Sequence, residues 1–166
     1  MTAFDQPLVE DARRLLDLFR AHRLRLVTAE SCTGGLLAAL LTEIAGSSEV
    51  FERGHVTYSN AAKMDLLGVP EALITEFGAV SAEVALAMAE GALSRSPAEI
   101  AVSITGIAGP DGGTKEKPVG LVHLASVGKG RPPIPSRLLL TGRNRSQIRT
   151  ASVAEALRLL RAQVAK

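Results

Sequence analysis

Leu24-Arg25-Leu26-Val27-Thr28-Ala29-Glu30-Ser31-Cys32-Thr33-Gly34-Gly35-Leu36-Leu37-Ala38-Ala39-Leu40-Leu41 joins three kinds of local signal in eighteen residues. Residues 24–29 read as a short strand, with Leu24, Leu26 and Thr28 alternating against Arg25 and Val27. Residues 31–35 read as a turn, and 36–44 as an apolar helix that stops at Gly46. Upstream, Leu8, Ala12, Leu15, Leu16 and Phe19 recur at helical spacing, and Pro7 suits a first turn, so a helix is expected over 7–22. Downstream, 50–59 reads as a strand and 60–67 as a short helix closed by Gly68 ahead of Pro70. Ser81 and Glu83 open a helix that ends near Ser96-Pro97. Residues 100–105 form a buried-type strand running into a glycine-rich loop. The stretch Thr114-Lys115-Glu116-Lys117-Pro118 reads as a solvated loop tip. Two more strands follow, at 119–127 and 134–140, and Pro132, Pro133 and Pro135 place the second at a sheet edge. Asn144 with Gln147 three positions on is a capping box for a last helix. Strands interleaved with helices imply an α/β sandwich, a sheet covered on both faces. With no internal repeat, linker or low-complexity tract, residues 1–166 are expected to form a single domain.

Composition narrows the class. Of 166 residues, 46% are hydrophobic and 22% charged, which excludes global disorder. Four Phe, one Tyr and no Trp leave an aliphatic core and no platform for stacking bases. A net charge of +2 is too even for a general nucleic-acid or membrane-surface binder. The single Cys rules out an intramolecular disulfide and a Cys-cluster metal site, and suits a reducing compartment. Met1-Thr2-Ala3-Phe4-Asp5-Gln6-Pro7 has neither a basic nor an apolar leader region. No apolar run approaches the ~20 residues needed to cross a bilayer. A cytoplasmic protein is the expectation.

Three segments can carry chemistry. Ser31 stands between a strand and a helix start, where free N–H groups and the positive end of the helix would stabilise an oxyanion. The alternative is that Ser31 or Thr33 is a helix cap. The segment is not a G-x-S-x-G elbow. His22, His55 and His123 lie at a helix end or within strands, which leaves a lysine as the base to consider. With Ser59 or Asn60 as cap, Lys63 falls in the first turn of a helix, the wrong end for an ammonium group. Partial desolvation there would lower its pKa and supply the neutral amine that activates a hydroxyl. Tyr58 is placed to share a hydrogen-bond network with it. The alternative is a solvated lysine and an ordinary strand tyrosine. The second segment is Thr105 to Gly113, which has four Gly and one Pro after a strand, where α/β folds place ligand loops. It matches neither a dinucleotide nor a P-loop fingerprint. Third, Arg143 and Arg145 flank a helix start, with Arg149 one turn on. They form either an anion site or a solvated basic turn. Cys32 is a competing nucleophile, since a thiol at a helix N-terminus is acidified, but it has no convincing His partner.

These strings, together with Phe51-Glu52-Arg53-Gly54, Tyr58-Ser59-Asn60-Ala61-Ala62-Lys63, Gly78-Ala79-Val80-Ser81 and Ser103-Ile104-Thr105-Gly106-Ile107-Ala108-Gly109-Pro110-Asp111-Gly112-Gly113, resemble the CinA C-terminal-domain family, the nicotinamide-nucleotide amidohydrolases. The resemblance runs from the first strand to the last helix. It implies a three-layer α/β/α sandwich that hydrolyses the carboxamide of nicotinamide mononucleotide to nicotinic acid mononucleotide and ammonia. It gives Ser31 as nucleophile, Lys63 as base and Tyr58 as assistant. Amides near Thr33 and Gly34 would hold the oxyanion. Thr105 and Gly106 would line the nucleotide pocket, and Arg145 with Arg143 would hold the 5′-phosphate. No cofactor or metal is implied. The partners implied are a small-molecule nucleotide and further copies of the chain in a homo-oligomer, with neither nucleic acid nor membrane. Many members carry a larger N-terminal domain related to molybdopterin-binding proteins, and that domain's activities are not expected here. Two other functions remain open: a Ser–Lys hydrolase of another amide or ester, and a nucleotide- or partner-binding module with vestigial catalytic residues.

Overall fold

The computed structural model describes residues 4–165. Residues 1–3, part of the stretch inspected above for a leader, lie outside it. Five strands form one sheet: β1 (Leu26–Glu30), β2 (Phe51–Val56), β3 (Ile100–Gly106), β4 (Leu121–Gly128) and β5 (Arg131–Leu139). Their order is β2-β1-β3-β4-β5. The first three run parallel, while β4 and β5 are antiparallel to their neighbours. Helices α1 (Gln6–Ala21), α2 (Leu36–Thr42) and α6 (Arg145–Val164) pack together on one face. On the other lie α3 (Asn60–Leu67), α4 (Glu71–Phe77) and α5 (Ala82–Ser94). This is an α/β/α sandwich, as the interleaved pattern implies.

The period-2 geometry of strands divides the core in two. Leu26, Ile100, Val102, Ile104, Val122 and Leu124 face α1, α2 and α6. Val27, Ala29, Ala101, Ala125 and Val127 face α5. The second set is small, which lets the alanine-rich α5 lie close to the sheet, and Ser103 donates to the Ala85 carbonyl there at 2.5 Å. Gly91 is obligatory for contact between α3 and α5, because a Cβ at that position would lie 2.0 Å from the Leu67 carbonyl oxygen.

Three local expectations change. Strand β1 does not alternate between buried and exposed, because it sits between β2 and β3 with helices on both sides, and all five of its residues are buried. Helix α4 forms where the sequence reading assigns no element. Its signals are modest: Pro70 before it, Glu71 in its first turn, and no fully buried residue. Lys117 is half-buried rather than a free loop-tip side chain: its ammonium group donates to the carbonyls of Phe77 and Val80. Strand β5 is an edge strand, and the Asn144–Gln147 capping box opens α6.

The chain leaves β1 through α2 to reach β2 on one side, and returns through α3–α5 to β3 on the other. Strand β1 is therefore the topological switch point, and a crevice opens beyond the C-terminal ends of β1, β2 and β3. Ser31, the 57–63 segment and the 105–113 loop all emerge there.

Candidate active site

A cavity of about 290 Å³ occupies that crevice, with Ser31, Cys32, Tyr58, Lys63, Thr105, Gly106 and Arg145 among its lining residues. The fold thus brings together six of the nine residues singled out in the sequence. Arg143, two positions before Arg145, lines instead a more open cleft of about 760 Å³ between the starts of α1 and α6. The smaller cavity is the candidate chemical site, since of the two it is the one lined by both Ser31 and Lys63. Thr33 and Gly34 are not among its walls.

The centre of the site is Lys63. Its side chain is 1% exposed. Its Nζ lies 3.0 Å from Ser31 Oγ and 2.9 Å from the Thr57 carbonyl, with the carbonyls of Tyr58 and Ser59 at 3.4 and 3.5 Å. Among the described residues no carboxylate pairs with it. Burial therefore holds the Lys63 pKa below its ordinary 10.5. Nζ donates to Ser31 Oγ and to the Thr57 carbonyl; once the amine is neutral, its lone pair can instead accept the Ser31 hydroxyl proton. The local fold makes the arrangement. Ser59 Oγ caps α3 by accepting from the Ala62 N–H, which places Lys63 in the opening turn, aimed back at the chain that leaves β2.

Helix α2 behaves differently from the expectation. Glu30, 1% exposed, accepts hydrogen bonds from the N–H groups of Gly35, Leu37 and Ala38. A protein carboxylate therefore already occupies the positive end of this helix. The Gly34 N–H is taken by the Ser31 carbonyl at 3.0 Å, so Gly34 cannot hold an oxyanion. Of the amides in this turn, those of Cys32 and Thr33 have no backbone acceptor among the described residues. Cys32 borders the cavity whereas Thr33 does not, so of these two amides that of Cys32 is the candidate oxyanion donor. Sequence reasoning passes over Glu30. Its clue was an acid just before a helix start, where the dipole favours it. Glu30→Ala leaves buried amides without a partner and is expected to lower unfolding free energy by about 3 kcal/mol, measurable by urea denaturation.

Cys32 is not the nucleophile of choice. Burial pushes its thiol from 9.0 up to about 11, so the thiolate is scarce at neutral pH. Tyr58 also differs from expectation. Extended backbone alternates direction, so Thr57 turns inward and is fully buried while Tyr58 turns outward and is 59% exposed. Its hydroxyl accepts from Arg145 Nη2 at 2.9 Å at the mouth, and only its carbonyl approaches Lys63. Arg145, the first residue of α6, also donates to the Gly109 carbonyl at 2.7 Å. The guanidinium thus spans the mouth between neutral acceptors. Arg149 reaches the Thr33 carbonyl at 2.8 Å and ties α6 to the turn after Ser31. Thr105 donates to the Ala79 carbonyl at 2.8 Å and builds the wall rather than facing a ligand as a free hydroxyl. Gly106 is required by packing, since a Cβ would lie 2.8 Å from Val122 Cγ2. Among the described residues, no group of His, Cys, Asp and Glu is placed to hold a metal ion. No helix among them is long and apolar enough to cross a membrane.

A switch-point crevice in an α/β/α sandwich, with a buried serine hydrogen-bonded to a buried lysine at its floor, defines a class of protein rather than a generic scaffold. The chain belongs to the CinA family: the CinA C-terminal domain model matches residues 9–164. A competence/damage inducible protein from Agrobacterium tumefaciens, solved by crystallography, superposes with a TM-score of 0.97 at 51% identity, covering 100% of each chain. The competence damage-inducible protein A of Klebsiella pneumoniae gives 0.90 at 33% identity, covering 95% of this chain and 97% of that one. A putative competence-damage inducible protein of Symbiobacterium thermophilum is 53% identical over 87% of this chain and 35% of its own length. The chain therefore spans about a third of the length of the curated relatives it matches.

Proposed function

We propose that this protein hydrolyses the carboxamide of nicotinamide mononucleotide, releasing ammonia and nicotinic acid mononucleotide, with Ser31 as nucleophile and Lys63 as general base. The observation that carries the reading is the 3.0 Å contact between Ser31 Oγ and the buried, carboxylate-free Lys63 Nζ. Neutral Lys63 accepts the hydroxyl proton as Oγ attacks the amide carbon. The Cys32 N–H receives the negative oxygen. The Lys63 ammonium returns the proton to the amide nitrogen, the C–N bond breaks, and ammonia leaves an ester on Ser31. Lys63 then takes a proton from water, the hydroxide attacks, and the C–Oγ bond breaks with the proton going back to Oγ.

Arg145 would hold the 5′-phosphate. It is a guanidinium at a helix start whose acceptors in the protein are neutral, so a phosphate would gain charge-assisted bonds without displacing an ion-pair partner. Arg145→Leu is expected to raise KM for the mononucleotide at least ~10-fold, the loss of a charged hydrogen bond, and to leave KM for nicotinamide riboside unchanged. An equal rise for both would remove the phosphate assignment. The activity itself is tested by ammonia release from the mononucleotide, the riboside and free nicotinamide. The mononucleotide should be strongly preferred. Release from none of the three would refute the reading and favour a binding module.

A further inference from the structure

Ala79 and Val80 line the cavity, yet the 77–80 segment belongs to no helix or strand beyond Phe77. It is held through its carbonyls. Ser81 Oγ donates to the Gly78 carbonyl at 2.8 Å, Thr105 Oγ1 to that of Ala79, and Lys117 Nζ to those of both Phe77 and Val80. Ser81 is a local cap, whereas Thr105 and Lys117 come from 26 and 37 residues away. Lys117 reaches this position from a tight turn in which the Thr114 N–H donates to its carbonyl at 2.8 Å. Gly78 makes room for it: its φ is +78°, and a Cβ there would lie 2.7 Å from Nζ. Among the described residues no carboxylate pairs with Lys117, so its charge is answered by backbone dipoles.

We propose that Lys117 is a positioning residue of the active site. Its ammonium group clamps the two ends of the 77–80 wall and so sets how tightly the cavity holds its substrate. It is not among the residues that line the cavity, and it acts through Ala79 and Val80. A carbonyl fixed on one side of a peptide plane fixes the N–H on the other. Clamping Phe77 and Val80 while Thr105 holds Ala79 therefore orients the amide planes that face the ligand. Preorganised dipoles of this kind do not have to reorient when substrate binds.

The inference rests on the hydrolase reading for its kinetic arm and is independent of it for its structural arm. In Lys117→Met, which keeps the chain length and removes the donors, backbone order parameters at Gly78, Ala79 and Val80 should fall from ~0.85 toward ~0.6, with Val27 and Val102 unchanged. KM for the mononucleotide should rise ~10-fold or more with kcat within ~3-fold. Lys117→Cys treated with 2-bromoethylamine restores an amine at lysine length by displacement of bromide by the thiolate. It should recover the lower KM, with wild type given the same treatment as the control for Cys32. Unchanged order parameters at 78–80 overturn the clamp. Altered order with an unaltered KM overturns its role in the site. If wild type does not hydrolyse the mononucleotide, the hydrolase reading falls, and the order parameters still decide whether Lys117 clamps the wall.

Discussion

Ser31→Ala is expected to lower turnover of nicotinamide mononucleotide by at least ~10³-fold, the scale on which removal of an acyl-transfer nucleophile acts. Its effect on folding should be small, because the Oγ contact it removes is the one to Lys63, whose Nζ keeps three carbonyls within reach. The thermal midpoint should stay within a few degrees of wild type. Rapid mixing with a chromogenic amide or ester that the wild type cleaves should show an initial burst that the variant lacks. A variant that retains full turnover would remove the nucleophile and with it the covalent mechanism.

Lys63→Met should be as damaging to turnover, ~10³-fold or more, but with a different signature. In wild type kcat/KM rises with pH as Lys63 loses its proton, and it levels off below the pH at which an ordinary lysine would titrate, because burial depresses its pKa. The variant's residual rate should lack that limb. Stability follows the same group. The unfolded chain binds the proton more tightly than the folded one, so stability of wild type rises with pH from the folded pKa up to 10.5. Below that window both states are protonated and the dependence vanishes. The difference in unfolding free energy between wild type and variant should therefore increase with pH within the window and be flat beneath it. Equal pH profiles for the two proteins would exclude Lys63 as the base.

Both residues were legible as candidates because each sits in a short string whose local structure is written nearby: a strand followed by a glycine pair, and a serine cap four positions before a lysine. What those strings meant chemically was not legible from spacing. Ser31 reads equally as a cap, and Lys63 as a solvated side chain, until β2 is laid beside β1 and the two are seen 3.0 Å apart. Glu30 is easily passed over because its partners are amides rather than side chains, and an acid before a helix start is the one mark they leave in a sequence. Lys117 likewise has backbone partners. Preceded by Lys115 and Glu116 it has the look of a wet loop, while the carbonyls that hold it belong to residues 77 and 80. The resemblance points to Arg145 with Arg143 as phosphate ligands, and spacing alone does not separate the two. The Asn144 cap separates them, leaving one in the groove beside α1 and directing the other across the cavity mouth.

Periodicity, caps and turn residues suffice for the alternation of helices and strands, the two-sided sheet, the edge position of β5 and the start of α6, because all of these depend on neighbours within a few positions along the chain. The order of the strands, the switch point at β1 and the placing of the Lys63 amine against Ser31 with no carboxylate beside it among the described residues depend on groups tens of residues apart meeting in a low-dielectric interior. Desolvation and hydrogen-bond partnership are properties of that meeting, and they convert an ordinary serine and an ordinary lysine into a candidate reactive pair.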